Sequence, residues 1–260
     1  RRGTAHAHPW LGTPSGLAAR LQRGGLLGWG VGIIALGTVD GAFAQALLDA
    51  GEDMPPAMQD MFGTSGLLDG YVAFLGSFVS VLIAAYAVFA MQTLRAEEGS
   101  GRLDAVLSTR MSRTSYLAAQ VCVVAAGAAL ISAVTGLSTG LAAAGVTGDW
   151  AVLGDVGGAH LGLLPGVLIV LALAAVLYGW VPRLMAPLGW AIVALCALVT
   201  LFADLLDLPD WLVTLSPFGH LAELPLEAFA ASPFLVLTGL SVAGVALAVF
   251  GFRRRQVNVV

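Results

Sequence analysis

The sequence contains no lysine, and only 11% of its 260 residues are charged. The twelve basic residues are therefore all arginines. Without a lysine, the chain cannot complete a phosphate-binding P-loop, form a lysine Schiff base or build a Ser–Lys catalytic pair. A P-loop nucleotide site, if this protein works with one, must belong to another polypeptide.

Cysteine and histidine are also scarce, with two and four residues respectively. Both cysteines fall within apolar stretches, so the sequence predicts no disulfide framework. Ser65 lies in a GTSG motif and could in principle pair with His160 or His220 as a nucleophile. That serine, however, lies in an acidic loop before an apolar run. His220, Glu223 and Glu227 come nearest to a metal cluster, but an exposed acidic helix explains them better. We predict no catalytic, cofactor-binding or metal-binding residue.

Apolar residues dominate the chain, at 58% of the total with a mean hydropathy of +0.88. A membrane-spanning helix needs about 20 consecutive apolar residues, and several runs satisfy this requirement. We predict an all-α, polytopic membrane protein whose residues 1–14 form a polar linker and whose residues 15–260 form one transmembrane domain. Its six predicted spans cover about 26–47, 71–93, 115–144, 161–181, 188–206 and 234–252.

The arginines predict how the spans cross the membrane. If the N-terminus is cytoplasmic, every arginine falls on the cytoplasmic side, whereas the only acids on that side are Glu97, Glu98 and Asp104. This asymmetry follows the positive-inside rule. We therefore predict a multi-pass protein of the cell membrane with both termini in the cytoplasm. Asp40, within the first span, either lies near the outer interface or faces a cavity.

The most highly charged stretch, residues 94–113, lies between the second and third spans. Its apolar residues recur at i, i+3, i+4 and i+8, namely Leu103, Val106, Leu107 and Met111. This spacing predicts a short amphipathic helix, which the pair Glu98 and Arg102 supports at i, i+4. Ser112 is a suitable N-cap for the third span. Such a helix would present its surface to a cytosolic partner; the alternative is a solvated loop whose arginines only fix the topology.

The N-terminal segment 15–23 predicts a second, interfacial helix. Ser15 can cap it, Leu17 and Leu21 form an apolar face, and Arg20 and Arg23 form a polar one. We expect the glycine pair that follows to end this helix before the first span begins.

Residues 207–233 are apolar in patches but too short and too broken for another span. Four prolines interrupt them, at positions 209, 217, 225 and 233. Because proline ends or kinks helices, we predict short helices that lie at the membrane interface or dip into it. The GxxxG spacing of Gly136 and Gly140 in the third span favours a close helix contact.

Four stretches together resemble the membrane subunits of ABC-2 type exporters, most closely the actinobacterial exporters of polyketide antibiotics. They are SGLAARLQRGGLLGW (15–29), LRAEEGSGRLDAVLSTRMSRTSYLAAQ (94–120), LSPFGHLAELP (215–225) and GFRRRQV (251–257). The second stretch is the most specific of them. The resemblance implies a transmembrane permease subunit of an ATP-driven exporter, and it matches segment 207–233 to extracellular re-entrant helices.

The resemblance also implies roles for individual residues. Leu17, Arg20, Leu21 and Arg23 would belong to a connecting helix. A coupling helix that docks on a separate cytosolic ABC ATPase would include Glu97, Glu98, Gly101, Arg102, Leu103 and Leu107. ATP and magnesium would be bound by that ATPase, and this chain would carry no cofactor.

Members of that family often join two such halves in one polypeptide, so we expect either a second six-span half or a second copy of this chain as a partner. The nearly uncharged spans favour a lipophilic or amphipathic cargo, such as a drug or antibiotic, over an ion. We expect no nucleic acid partner. The alternatives are a membrane scaffold that transports nothing and, more remotely, an intramembrane serine protease that uses Ser65.

Overall fold

The protein is a bundle of membrane-length helices. The structure, a computed structural model, describes Trp10 and residues 13–51, 66–99, 112–203 and 205–255. Every regular element in these ranges is a helix, and six helical segments are long and apolar enough to cross a membrane. The predicted all-α, six-span architecture of a polytopic membrane protein is therefore confirmed.

The helices follow one another up and down the bundle. The first span is α1 (Pro14–Ala42), continued by α2 (Ala44–Ala50), and the second and third are α3 (Leu67–Gly99) and α4 (Arg113–Thr147). The fourth consists of α5 (Val152–Gly162) and α6 (Leu164–Trp180), and the fifth is α7 (Met185–Phe202). After the short α8 (Asp210–Val213) and a 3₁₀ turn (Phe218–His220), α9 (Ala231–Arg254) forms the sixth.

The N-terminal helix differs from its prediction at both ends. Thr13, rather than Ser15, is the N-cap: its hydroxyl accepts a hydrogen bond from the Gly16 amide at 3.1 Å, and Pro14 occupies the first turn. Proline is favoured there because its missing N–H would lack a partner anyway. The pair Gly24–Gly25 does not end the helix, which runs without a break to Ala42. A glycine costs a helix only about 1 kcal/mol, less than leaving backbone groups unpaired near lipid.

The stretch around Asp155 and His160, which precedes the predicted fourth span of about 161–181, is helical. Val152, Val156 and Ala159 are buried in α5, and their spacing gives this helix an apolar face. Asp155 is exposed on the other side of the helix. The fourth span is thus interrupted only at Leu163, where Pro165 begins the first turn of α6.

The proline-broken segment before the last span contains less helix than expected. Between Asp207 and Ala230 it forms only the four-residue α8 and the 3₁₀ turn. It is nevertheless packed against the bundle, because Phe218 and Leu221 are buried and the Phe218 ring contacts Gly166 of α6. The Thr200 and Ser216 hydroxyls, 3.1 Å apart, tie it to α7.

Helix α3 runs through the middle of the bundle. In its most apolar stretch 72% of residues are buried, compared with 22% in the first and last spans. The large side chains Ile83, Tyr86 and Met91 of α3 are fully enclosed. The outer helices α1 and α9 instead expose apolar side chains such as Val31 and Leu235, as expected of surfaces that face lipid.

Glycines bring α4 close to both of its main neighbours. A Cβ at Gly37 of α1 would lie 2.6 Å from Thr135 Cγ2 and 2.6 Å from Thr139 Oγ1, so α4 packs too closely there to leave room for a side chain. The predicted GxxxG pair of α4 lies at the contact with α5, where a Cβ at Gly136 would be 3.2 Å from His160 Cβ. Small residues permit such approaches in membrane bundles.

Candidate functional site

Hydrogen bonds show which helix ends lie together. The Gln22 amide of α1 donates to the Ala90 carbonyl of α3 and to Oε1 of Gln120 in α4, both at 3.3 Å. Trp190, near the start of α7, donates to Oε1 of Gln92 at 3.1 Å. The start of the first, third and fifth spans therefore meets the end of the second. We call this the arginine end, because the charged stretch 94–113 adjoins it.

Four residues of the arginine end form a group that we call the Arg255 clasp: Glu98, Arg113, Tyr178 and Arg255. The Arg255 guanidinium forms an ion pair with Glu98 at the end of α3 and donates to the Tyr178 carbonyl of α6 at 2.8 Å. Arg113, the first residue of α4, donates to the Arg255 carbonyl at 2.7 Å. The clasp thus connects the ends of four helices that are far apart in the sequence.

The clasp satisfies backbone groups that the helices leave unpaired. The residue four positions after Tyr178 is Pro182, just beyond the end of α6, and it has no N–H to donate to the Tyr178 carbonyl. Arg255 supplies the missing donor. A carboxylate is disfavoured at the negative end of a helix dipole, which is where Glu98 lies, so the adjacent guanidinium also offsets an electrostatic cost.

The clasp is well shielded from water. The Glu98 side chain is 8% exposed and that of Arg255 is 15% exposed. The guanidinium carbon of Arg255 lies 5.4 Å from the centre of the Phe252 ring and 5.5 Å from that of Tyr178, and these two rings stack on each other. Charge-assisted hydrogen bonds are stronger where water is excluded, so the clasp is more than a surface ion pair.

The predicted coupling residues are only partly covered by the structure. Glu97 and Glu98 lie in the last turn of α3, which continues past the predicted end of the second span because Leu-Arg-Ala-Glu-Glu are strong helix formers. The others, Gly101, Arg102, Leu103 and Leu107, lie outside the described residues. The partner that the structure gives to Glu98 is Arg255.

The predicted connecting-helix residues form the first turns of α1. Arg20 and Arg23 are exposed, Leu17 is half-buried and Leu21 is 38% exposed. The buried residues in these turns are Gly16, Ala18 and Gln22 instead. The sequence gives no sign of the hydrogen bond between Gln22 and Gln120, since Gln22 lies among arginines that are exposed and nothing local indicates that its side chain points inward.

An apolar groove of about 530 Å³ lies between α1 and α3. Its floor is formed by glycines of α1, and its walls by aromatic and aliphatic side chains of both helices. The lining residues are Gly24, Gly25, Gly28, Trp29, Gly32, Ile33, Leu36, Leu82 and Phe89. The groove is open because its glycines have no side chains to fill it. A Cβ at Gly24, Gly28 or Gly32 would meet no atom within 4 Å.

The other candidate residues form no site in the part of the chain that the structure describes. His220 Nε2 lies 2.8 Å from the Thr214 carbonyl, and among the described residues no three metal-ligating side chains are grouped. His160 is buried within the bundle, where its Nδ1 donates to the Val156 carbonyl at 2.9 Å. Ser65 lies outside the described residues. Asp40 is half-buried near the end of α1 opposite the arginine end, where its carbonyl accepts from the Tyr71 hydroxyl at 2.7 Å.

Comparison with known proteins identifies the family. Residues 11–253 match the family described as "Multidrug efflux system permease Rv1217c, C-terminal domain". This chain belongs to that family, which confirms the predicted resemblance to the permeases of the ABC-2 type. It is 33% identical over 263 residues to the multidrug efflux system permease protein Rv1217c of Mycobacterium tuberculosis (strain ATCC 25618 / H37Rv). The match covers 99% of this chain but 48% of that relative, so the chain spans about half the relative's length.

Proposed function

We propose that the chain is the transmembrane subunit of an ATP-driven exporter of lipophilic or amphipathic compounds. The observation that carries this proposal is the match of residues 11–253 to the C-terminal domain of a multidrug efflux permease. The six apolar helices and the nearly uncharged bundle support it, because a path for ions would need more polar groups.

Energy for transport would come from a separate cytosolic ATPase. The chain has no lysine for a P-loop, so ATP and magnesium would be bound by that partner. Its docking site would be the stretch 94–113 together with Arg20 and Arg23, which are exposed at the same end of the bundle. The stretch begins within the C-terminal part of α3. Movement of the docked ATPase would therefore act directly on α3, the most buried helix of the bundle.

A complete translocation path would need a second six-helix unit. The relative is about twice as long as this chain, since the match covers 48% of it. The outer helices α1 and α9 leave broad apolar flanks exposed, on which lipid, another half or a second copy could pack. We propose a pair of such units with the path for cargo at the face between them.

The glycine-floored groove would admit cargo from the membrane. A Cβ at Gly28 would meet no atom within 4 Å, so we expect the Gly28→Leu side chain to occupy the groove. Leucine also replaces a helix-weakening residue, so the fold should be kept. We expect cells expressing this variant with the ATPase to lose most of their efflux of Nile red, a lipophilic dye. Efflux is measured as the rate of fluorescence loss from preloaded cells.

A matched control is Gly239→Leu in α9. A Cβ at Gly239 would also meet no atom within 4 Å, but this position lies outside the groove. It should export Nile red at the wild-type rate. Equal efflux by both variants would show that the groove is not used. If the wild-type chain purified without an ATPase and its removal left efflux unchanged, the exporter proposal would be wrong and a scaffold would be favoured.

The arginine asymmetry predicts that the arginine end faces the cytosol. Single cysteines at Asp149 and Glu223 should react in intact cells with a membrane-impermeant thiol reagent, once Cys122 and Cys196 are replaced by serine. Cysteines at Arg183 and Arg254 should react only after the cells are opened. All four native residues are charged, so a difference in labelling reports sidedness rather than polarity. External labelling at Arg183 would contradict the proposed orientation.

A further inference from the structure

The Arg255 clasp lies where the predicted coupling segment enters and leaves the bundle. Glu98 is in the last turn of α3, and Arg113 begins α4 after the stretch 100–111. Both residues contact Arg255. Glu98 forms an ion pair with the Arg255 guanidinium, and the Arg113 side chain donates a hydrogen bond to the Arg255 carbonyl. Any displacement of the coupling segment therefore acts on Arg255 from two sides.

Arg255 passes this connection on to two further helices. It is the C-cap residue of α9, and its guanidinium holds the Tyr178 carbonyl at the end of α6. Because one planar guanidinium serves both Glu98 and Tyr178, α3 cannot slide past α6 without breaking a bond of Arg255. Breaking the ion pair would leave a largely buried carboxylate without its partner, which is strongly unfavourable.

We propose that the Arg255 clasp transmits movement of the coupling segment to α6 and α9, with Arg255 as the positioning residue. This inference rests on the proposed export function. The two neighbouring arginines do not share the role. Arg253 is exposed, and Arg254 is exposed with its guanidinium 4.0 Å from the ring centre of Phe250 in its own helix. Of the three consecutive arginines, only Arg255 therefore has the contacts needed to transmit this movement.

A purely structural ion pair and a transmitting one predict different kinetics. If the clasp only stabilised the bundle, its loss would lower thermal stability, and the surviving protein would respond to cargo normally. If it transmits movement, the maximal stimulation of ATP hydrolysis by cargo should fall. The dye concentration that gives half-maximal stimulation should change little, because the groove is formed by other residues of α1 and α3.

The test uses the full chain, reconstituted with its ATPase subunit in lipid vesicles, with Nile red as the probe. Glu98→Gln and Arg255→Gln should each reduce the ratio of stimulated to basal hydrolysis by about fivefold or more, the lower end of typical coupling between sites. The double variant should be no worse than Arg255→Gln alone, because that substitution already removes both the ion pair with Glu98 and the guanidinium's hydrogen bond to the Tyr178 carbonyl. Arg253→Gln is the matched control and should retain the wild-type ratio.

The outcomes separate this inference from the function on which it rests. If Nile red and related lipophilic dyes fail to stimulate hydrolysis with the wild-type chain, the export proposal fails, and the clasp loses its role with it. If the wild type responds but Arg255→Gln and Glu98→Gln respond equally well, only the clasp inference is overturned. Additive losses in the double variant would also overturn it, since they would show two independent effects.

Discussion

Replacing Leu103 and Leu107 together by aspartate should abolish export while leaving the bundle folded. The two leucines occupy one face of the predicted amphipathic helix, which we expect to fill a groove on the ATPase subunit. Two carboxylates placed in that groove would be buried without partners, at a cost of several kcal/mol, enough to separate a typical docking contact. Nile red efflux and dye-stimulated ATP hydrolysis should both fall to background.

The control variant is Ala105→Asp with Thr109→Asp. It adds the same charge at the same spacing, but on the opposite side of the predicted helix. This variant should bind the ATPase and export dye close to the wild-type rate. Both variants should keep the wild-type elution volume and melting temperature in detergent, since the spans are unchanged. Normal export by the leucine variant would favour the solvated-loop alternative and end the coupling hypothesis.

Gly41→Leu should cause the largest loss of stability among leucine substitutions at the α1 glycines that face α4. A Cβ at this position would overlap the backbone carbonyl of Thr139 in α4, which cannot rotate away as a side chain can. Overpacking of a tight core typically costs about 1–3 kcal/mol, and a clash with backbone belongs at the upper end or beyond. The higher helix propensity of leucine returns only about 1 kcal/mol.

We therefore expect Gly41→Leu to lower the melting temperature in detergent and the yield of monodisperse protein. Gly32→Leu is the matched control on the same helix, because a Cβ there meets no atom within 4 Å. It should melt at or slightly above the wild-type temperature. Equal stability of the two variants would mean that α1 and α4 are not packed as closely as the structure shows.

The sequence by itself determined the fold class, the number of spans and the N-cap of the third span. These properties are local: the length of an apolar run decides whether it can cross a membrane, and Ser112 caps α4 through the amide of Ser115, three residues away. The arginine distribution predicts on which side of the membrane each helix end lies. The structure brings the predicted cytoplasmic ends of the spans together, through bonds such as Gln22 to Gln120 and Trp190 to Gln92.

Helix boundaries were less predictable, because neighbouring helices decide whether weak local signals end a helix. The pair Gly24–Gly25 would end an isolated helix in water, yet α1 continues through it, since its backbone groups must be paired near lipid. The fourth span was predicted to begin at about residue 161, but α5 forms ahead of it because its apolar face is buried against α4.

Only the tertiary structure decided which charged residues act together. Arg253, Arg254 and Arg255 are equivalent as a stop signal in the sequence, and Glu98 was expected to pair with Arg102, four residues away. The folded bundle places Arg255 against Glu98, which precedes it by 157 positions, and against a carbonyl that Pro182 leaves without a donor. Contacts between residues so distant depend on how four helices pack, and no local pattern in the sequence encodes that arrangement.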